Sequence, residues 1–241
     1  MDAFACGLNA RSFASLRMTN KTKTVLLTGF EPFDGEKVNP SQEIARQLHG
    51  RELGGHRIVG ALLPCVFGAA IAELRKQIRA TKPVLVICVG QAGGRADITP
   101  ERVALNVDDS RMPDNAGKQP VDRPIVPGGP AAYWSTLPIK AIVAALKQRR
   151  VPASVSQTAG TFVCNHAFYG LMHELRNKRG VRGGFIHVPF LPEQALRHCS
   201  GRTKKGQPSL SLETMVAAIS LAVATAVKTR RDVKIGGGQT H

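Results

Sequence analysis

Four scarcities in this chain each remove a class of function. Aromatic residues are only 5% of the 241, and none is interleaved with basic groups in the way nucleic-acid modules use stacking side chains. Long apolar runs are missing. The longest, near Met215–Val227, is broken by Ser220 and Thr225, short of the roughly 20 continuous apolar residues a membrane span needs, so a soluble protein is expected. The five cysteines, Cys6, Cys65, Cys88, Cys164 and Cys199, are odd in number, irregularly spaced and without a C-x-x-C pair. That pattern predicts neither zinc nor a redox dithiol and fits a reducing cytoplasm. Acidic residues are scarce as well, 17 against 33 Lys and Arg.

The resulting net charge of +16 raises a nucleic-acid hypothesis, because clustered cations neutralise phosphates with release of counterions. The clustering is poor. Basic residues fall in scattered groups, Arg149-Arg150, Arg176 to Arg182, Lys204-Lys205 and Lys228 to Arg231. A solvated surface with weak polyanion affinity is expected, and no specific nucleic-acid partner. The glycine loop Gly90-Gln91-Ala92-Gly93-Gly94-Arg95 lacks the G-x-G-x-x-G order, and no G-K-[ST] occurs. No nucleotide, metal or other cofactor site is therefore predicted.

What is present is a βαβ rhythm. Thr24–Thr28 reads as a strand and Asn39-Pro40-Ser41 as a helix start with Pro at the first position, the helix running to about Leu48. Arg57–Leu63 reads as strand, Phe67–Ala80 as helix and Val84–Val89 as a fully buried strand. Glu101–Val107 reads as another strand, and the Gly/Pro/Asp-rich 108–130 as a long loop of functional kind. Then come a helix at Ile139–Gln148, a strand near Ala153–Gln157, a helix from Cys164 to Arg179, the strand Gly184–Val188 and a terminal helix over about Leu212–Val227. Strands alternating with helices imply an α/β fold with a mainly parallel sheet covered on both faces. The length fits a single domain over 23–241. Residues 1–22, with Met18 as an alternative start, read as a disordered or artefactual N-terminal extension.

Chemistry concentrates around Cys164, placed where a helix is predicted to begin. A helix N-terminus favours thiolate over thiol and receives an oxyanion; a buried cysteine acting as a small hydrophobe is the plainer reading. A thiolate attacking an amide needs a histidine as base and then as proton donor. His166 is two residues from Cys164, and on one helix the two side chains point to different faces. His187, at the end of an apolar strand, is the stronger candidate, with a core histidine as the alternative. Glu101 is a candidate to orient the imidazole, although a Glu at a strand start is commonly a surface residue.

Four blocks resolve these choices by resemblance. Val155 through Asn165 (VSQTAGTFVCN) resembles the cysteine signature of the pyroglutamyl peptidase I (pyrrolidone-carboxylate peptidase) family of cysteine peptidases. Gly90 through Asn106, with ITPERVALN, resembles its glutamate signature, GGFIHVPF at 183–190 its histidine segment, and TGFEPF at 28–33 its TGF-x-PF loop. The resemblance spans about 23–198 and implies a three-layer α/β/α sandwich with a mixed sheet, a catalytic triad of Glu101, Cys164 and His187, and an acyl-thioenzyme route to removal of N-terminal pyroglutamate from peptides. It implies a homo-oligomer, tetramer or dimer. The backbone N–H of Cys164 is a natural oxyanion donor, and Arg111 a second, in a DDSRMPDN loop similar to the family's D-A-R-I-P-D-N, with Ser110 and Met112 replacing Ala and Ile. For a flat, uncharged lactam, Phe30 and Phe33 are expected to clamp the ring faces, Gln91 to donate and accept, and Phe162 to close the side by the nucleophile. Two other classes stay open on sequence alone, a catalytically inert lactam-binding module and a polyanion-binding protein that keeps only the fold.

Overall fold

In the computed structural model, residues 22–198 and 206–237 are described. The readings made for residues 1–21, Cys6, Cys199, Lys204 and Lys205 lie outside them. Strand β1 (Lys23–Phe30) leads into helix α1 (Pro40–Leu48), then β2 (Glu52–Leu53), β3 (His56–Leu63), α2 (Ala69–Thr81) and β4 (Leu85–Gln91). The short β5 (Thr99–Pro100), β6 (Val103–Leu105) and β7 (Ala132–Trp134) follow, then α3 (Ile139–Gln148), α4 (Val163–Leu175), β8 (Arg182–Val188), α5 (Pro192–Arg197) and α6 (Leu212–Lys228).

The main sheet has the order β2-β3-β1-β4-β8-β5. Its four central strands run parallel, while β2 and β5 pair antiparallel at the edges. The apolar runs of β1, β4 and β8 are continuous because both faces of each strand are buried, alternate side chains going to opposite layers. Val25 and Leu27, with Ile87 and Val89, join the core under α1, α3 and α6. Leu26 and Phe30, with Val86, Cys88 and Phe185, join the core under α2 and α4. The predicted three-layer sandwich is therefore the fold.

Local chemistry sets where α1 starts. Pro40 occupies its first turn, Asn39 accepts from Ser41 N at 3.0 Å, and Ser41 Oγ accepts from Phe30 N at 3.0 Å. That last bond pins the helix start to the end of β1. A Cβ on Gly29 would lie 2.1 Å from the Ser41 carbonyl oxygen, so only glycine permits this approach.

Two expected strands are corrected. Glu101–Val107 is interrupted: Glu101 forms an isolated bridge to Ser156, after β5 and before β6. The stretch Ala153–Gln157 makes only single bridges, at Ala153 and Ser156, because it meets the chain at 98–101 where no long edge is available. Helix α4 ends at Leu175 rather than Arg179. Among the described residues no helix is long and apolar enough to cross a membrane.

Candidate active site

Strand order reverses between β1 and β4, since β1 leads outward to β3 and the chain returns across it. Clefts in such sheets open at the carboxyl ends of the strands beside that reversal. Here a cleft of about 560 Å³ is lined by Phe33 after β1, Gln91 and Arg95 at and after β4, His187 on β8, Arg111 from the long loop, and Phe162 and Cys164 at the start of α4.

Of the predicted residues, the structure joins Glu101 and His187 directly. His187 Nδ1 lies 2.7 Å from Glu101 Oε1, with both side chains buried. Burial pushes the Glu101 carboxyl upward, but the hydrogen bond and charge of His187, then the Ser156 hydroxyl and the Arg95 charge, outweigh it and hold the group below its ordinary value. An ionised Glu101 fixes His187 with its proton on Nδ1 and leaves Nε2 to accept another.

Cys164 is the second residue of α4, half-buried on the cleft wall. Its backbone N–H is among the helix's first donors, which have no partner within the helix. The expected pull of the helix N-terminus toward thiolate is opposed by the thiol's surroundings. Burial pushes the thiol well above its ordinary value, Cys65 and the Glu101 charge push the same way, and Arg95 opposes them. A proton carried by the sulfur has to leave as attack begins.

The sulfur has its place because of a glycine. A Cβ on Gly90 would lie 2.9 Å from Cys164 Sγ and 2.7 Å from the Phe185 ring, and Gly90 is in register with His187. Gly90→Ala is expected to lower kcat/KM about 100-fold through displacement of the sulfur and to cost about 1–3 kcal/mol by overpacking. Thermal melts with steady-state kinetics check it, and parent-like kinetics would contradict the packing argument.

His166 is engaged elsewhere. Its Nδ1 meets the Asp108 carboxylate at 2.8 and 3.0 Å, and its Nε2 accepts from Gly68 N at 2.8 Å. Both ring nitrogens are used, so the imidazole ties α4 to the long loop and to the start of α2. Asn165, fully buried, adds three hydrogen bonds to the backbone of Leu105 and Val107. Thr161 exchanges two more with the Asp109 backbone. These contacts register the start of α4 against the loop that carries Arg111.

Arg111 is exposed at the cleft and makes no ion pair or side-chain hydrogen bond among the described residues. The nearby Asp114 carboxylate is engaged with backbone, accepting from the N–H groups of Phe67, Ala116 and Lys118. The guanidinium is free to meet negative charge in the cleft.

The aromatic pocket differs from the expected clamp. Phe30 is the last residue of β1, only 2% exposed, and packs on Phe185 at 6.1 Å in the core; it is not on the cleft wall, because the inward face of β1 continues to its end. Phe33 and Phe162 are in ring contact at 6.0 Å and 44°, adjoining walls rather than opposed plates. Gln91 Oε1 accepts from Gln194 Nε2 at 3.0 Å, which orients the amide and leaves both N–H donors and one lone pair of the oxygen for a ligand.

Sequence reasoning gave no role to Arg95, Asp108, Asn165 or Gln194. Arg95 and Asn165 lay inside the quoted signatures, whereas nothing local in sequence marks Gln194, which acts from 103 positions away.

The model of the pyroglutamyl peptidase family matches residues 23–229. Proteins named pyrrolidone-carboxylate peptidase from Cupriavidus taiwanensis and Klebsiella pneumoniae are 61% and 59% identical over 220 and 217 residues, 90% of this chain and 99% of each relative. Among solved structures, pyroglutamyl peptidase I of Bacillus amyloliquefaciens aligns with a TM-score of 0.83 at 51% identity, covering 88% of this chain and all of that one. A mutant pyrrolidone carboxyl peptidase from the hyperthermophile Pyrococcus furiosus aligns with a TM-score of 0.81 at 44% identity, covering 85% of this chain and 98% of that one.

Proposed function

The chain belongs to the pyroglutamyl peptidase family and is a cysteine-type omega peptidase, and from that premise we propose that it hydrolyses the amide bond after an N-terminal pyroglutamyl residue through Cys164, His187 and Glu101. The observation that carries the reading is the convergence of a helix-start thiol and a Glu-bound imidazole on one cleft at the carboxyl ends of β4 and β8.

In the proposed course, His187 takes the thiol proton as Cys164 Sγ attacks the pyroglutamyl carbonyl carbon. The oxyanion that forms is received by the Cys164 N–H and Arg111. Collapse breaks the C–N bond, and the imidazolium hands its proton to the departing amine. A water deprotonated by His187 then attacks the thioester carbonyl, and cleavage of the C–S bond releases pyroglutamate and returns the proton to sulfur. Glu101 keeps the imidazole in the required tautomer and stabilises its charged form. The substrate ring would lie against Phe33 and Phe162, with its lactam carbonyl toward Gln91. A cytoplasmic location and a homo-oligomeric state belong to the same proposal, the former supported by the reduced cysteine chemistry it needs.

Release of a chromophore from a pyroglutamyl amide, with and without a thiol-alkylating reagent, tests the activity: alkylation should abolish release. The two histidines separate the roles further. His187→Ala should be nearly inactive and Glu101→Gln partly active, and because the two side chains form a buried pair each is assayed well below its own melting temperature. His166→Ala should instead lose about 1–3 kcal/mol of stability by leaving Asp108 buried without its partner, while retaining more turnover than His187→Ala. An active His187→Ala beside a dead but well-folded His166→Ala would reverse the assignment.

A further inference from the structure

The buried Glu101 carboxylate has a second cationic neighbour. Arg95, in the turn after β4, directs Nη1 to Glu101 Oε1 at 2.6 Å, the same oxygen that meets His187 Nδ1. The guanidinium also donates to Thr99 Oγ1 at 2.8 Å and, through Nη2, to the Thr158 carbonyl at 2.9 Å. Thr158 stands six residues before Cys164, on the irregular segment that enters α4. One planar group thus links β5, the triad carboxylate and the approach to the nucleophile.

Resting on the triad reading above, we propose that Arg95 is a positioning residue for this reaction: it locks Glu101 to the Thr158 backbone, and through them His187 to Cys164. A guanidinium suits the task because its planar fork presents several donors at fixed angles, which the single ammonium of lysine does not. Its side chain remains 29% exposed on the cleft wall, whereas Glu101 is fully buried, so a shorter or neutral replacement leaves no closed cavity.

Charge acts in the same direction as geometry. Glu101 is faced by His187 on β8, by the Ser156 hydroxyl across the isolated bridge, and by Arg95; Cys164 is faced by Glu101, Arg95, Cys65 and Cys88. Arg95 offsets the Glu101 charge beside the sulfur: its positive charge favours negative charge on Cys164, whereas Glu101 opposes it. Without Arg95 the Glu101 charge acts on the sulfur unopposed, and the thiolate forms only at higher pH.

The test compares Arg95→Met and Arg95→Lys with the parent full chain by two readouts, Cys164 alkylation by iodoacetamide across pH and steady-state hydrolysis of a pyroglutamyl amide. Arg95→Met should lower kcat about 100-fold, change KM less than about 3-fold, and move the acid limb of the alkylation profile upward by about half a pH unit or more. Arg95→Lys should restore the limb, since the charge returns, but recover only part of kcat, since the fork does not. Equal kcat losses in both variants with an unmoved limb would reduce Arg95 to a structural residue and overturn the proposal, as would a parent-like Arg95→Met. Should Arg95→Met melt too low to assay, Arg95→Lys decides alone, and a parent-like kcat there refutes the need for the fork. Cys164→Ala run in parallel keeps the two readings apart. Hydrolysis surviving in it would refute the triad, whereas Cys164-dependent hydrolysis indifferent to Arg95 refutes only the present inference.

Discussion

Cys164→Ala should fold and melt like the parent while losing hydrolysis of pyroglutamyl amides by about 10⁴-fold or more, the scale seen when a covalent nucleophile is removed. The fold has little to lose, because the sulfur is half-buried on a cleft wall and makes no hydrogen bond among the described residues. Cys164→Ser should be almost as inactive. Burial already holds the thiol above its ordinary value, and a hydroxyl in the same place is far harder to deprotonate for the same imidazole. Near-parental turnover by a well-folded Cys164→Ala protein, measured with a chromogenic pyroglutamyl amide, would end the covalent mechanism.

Discrimination by the lactam is the second large effect. Peptides beginning with pyroglutamate should be cleaved about 10⁴-fold better than those beginning with proline, glutamine or glutamate, the range reached when a site built to hydrogen-bond a group is offered an analogue without it. The residues behind this are few. Gln91 is 8% exposed and its carbonyl is held by the fully buried Gln194, so its N–H groups are aimed rather than free to rotate. Prolyl substrates bring no carbonyl to those donors and add an ammonium beside the aromatic corner of Phe33 and Phe162. Phe33→Ala should raise KM, and Gln91→Ala should erode discrimination against proline. Competition between prolyl and pyroglutamyl amides in one assay measures the ratio, and equal cleavage would refute the pocket even with Cys164 as nucleophile.

The layers, the helix at Asn39-Pro40 and the buried strands β4 and β8 were legible because their signals are local: a capping side chain, a proline at the first turn, and apolar runs with no polar face. The Glu101 region was misread for the converse reason. A stretch rich in strand-forming residues is split between a single bridge at Glu101, held by Ser156 and Phe185, and the short β6 paired with β7, and no local pattern announces either set of partners. Among site residues, Glu101, Cys164 and His187 are legible in their motifs, and helix spacing already ranks His166 below His187, whereas the use of both His166 ring nitrogens depends on Asp108 and Gly68, which no local pattern pairs with it. Phe30 is expected at the substrate ring from its place in the TGFEPF loop, yet the inward face of β1 carries it into the core. Gln194 and the double use of Glu101 Oε1 depend on contacts across the fold, and sequence spacing holds no trace of them.

The covalent intermediate is the center of the account, and partitioning tests it most directly. Hydroxylamine added during turnover should divert the pyroglutamyl thioester to its hydroxamate. If every substrate passes through the same acyl group on Cys164, the ratio of hydroxamate to free pyroglutamate should be identical for all leaving amines, and Cys164→Ala should form neither product. A ratio that changes with the leaving amine would mean that water attacks the substrate itself, and would contradict the mechanism.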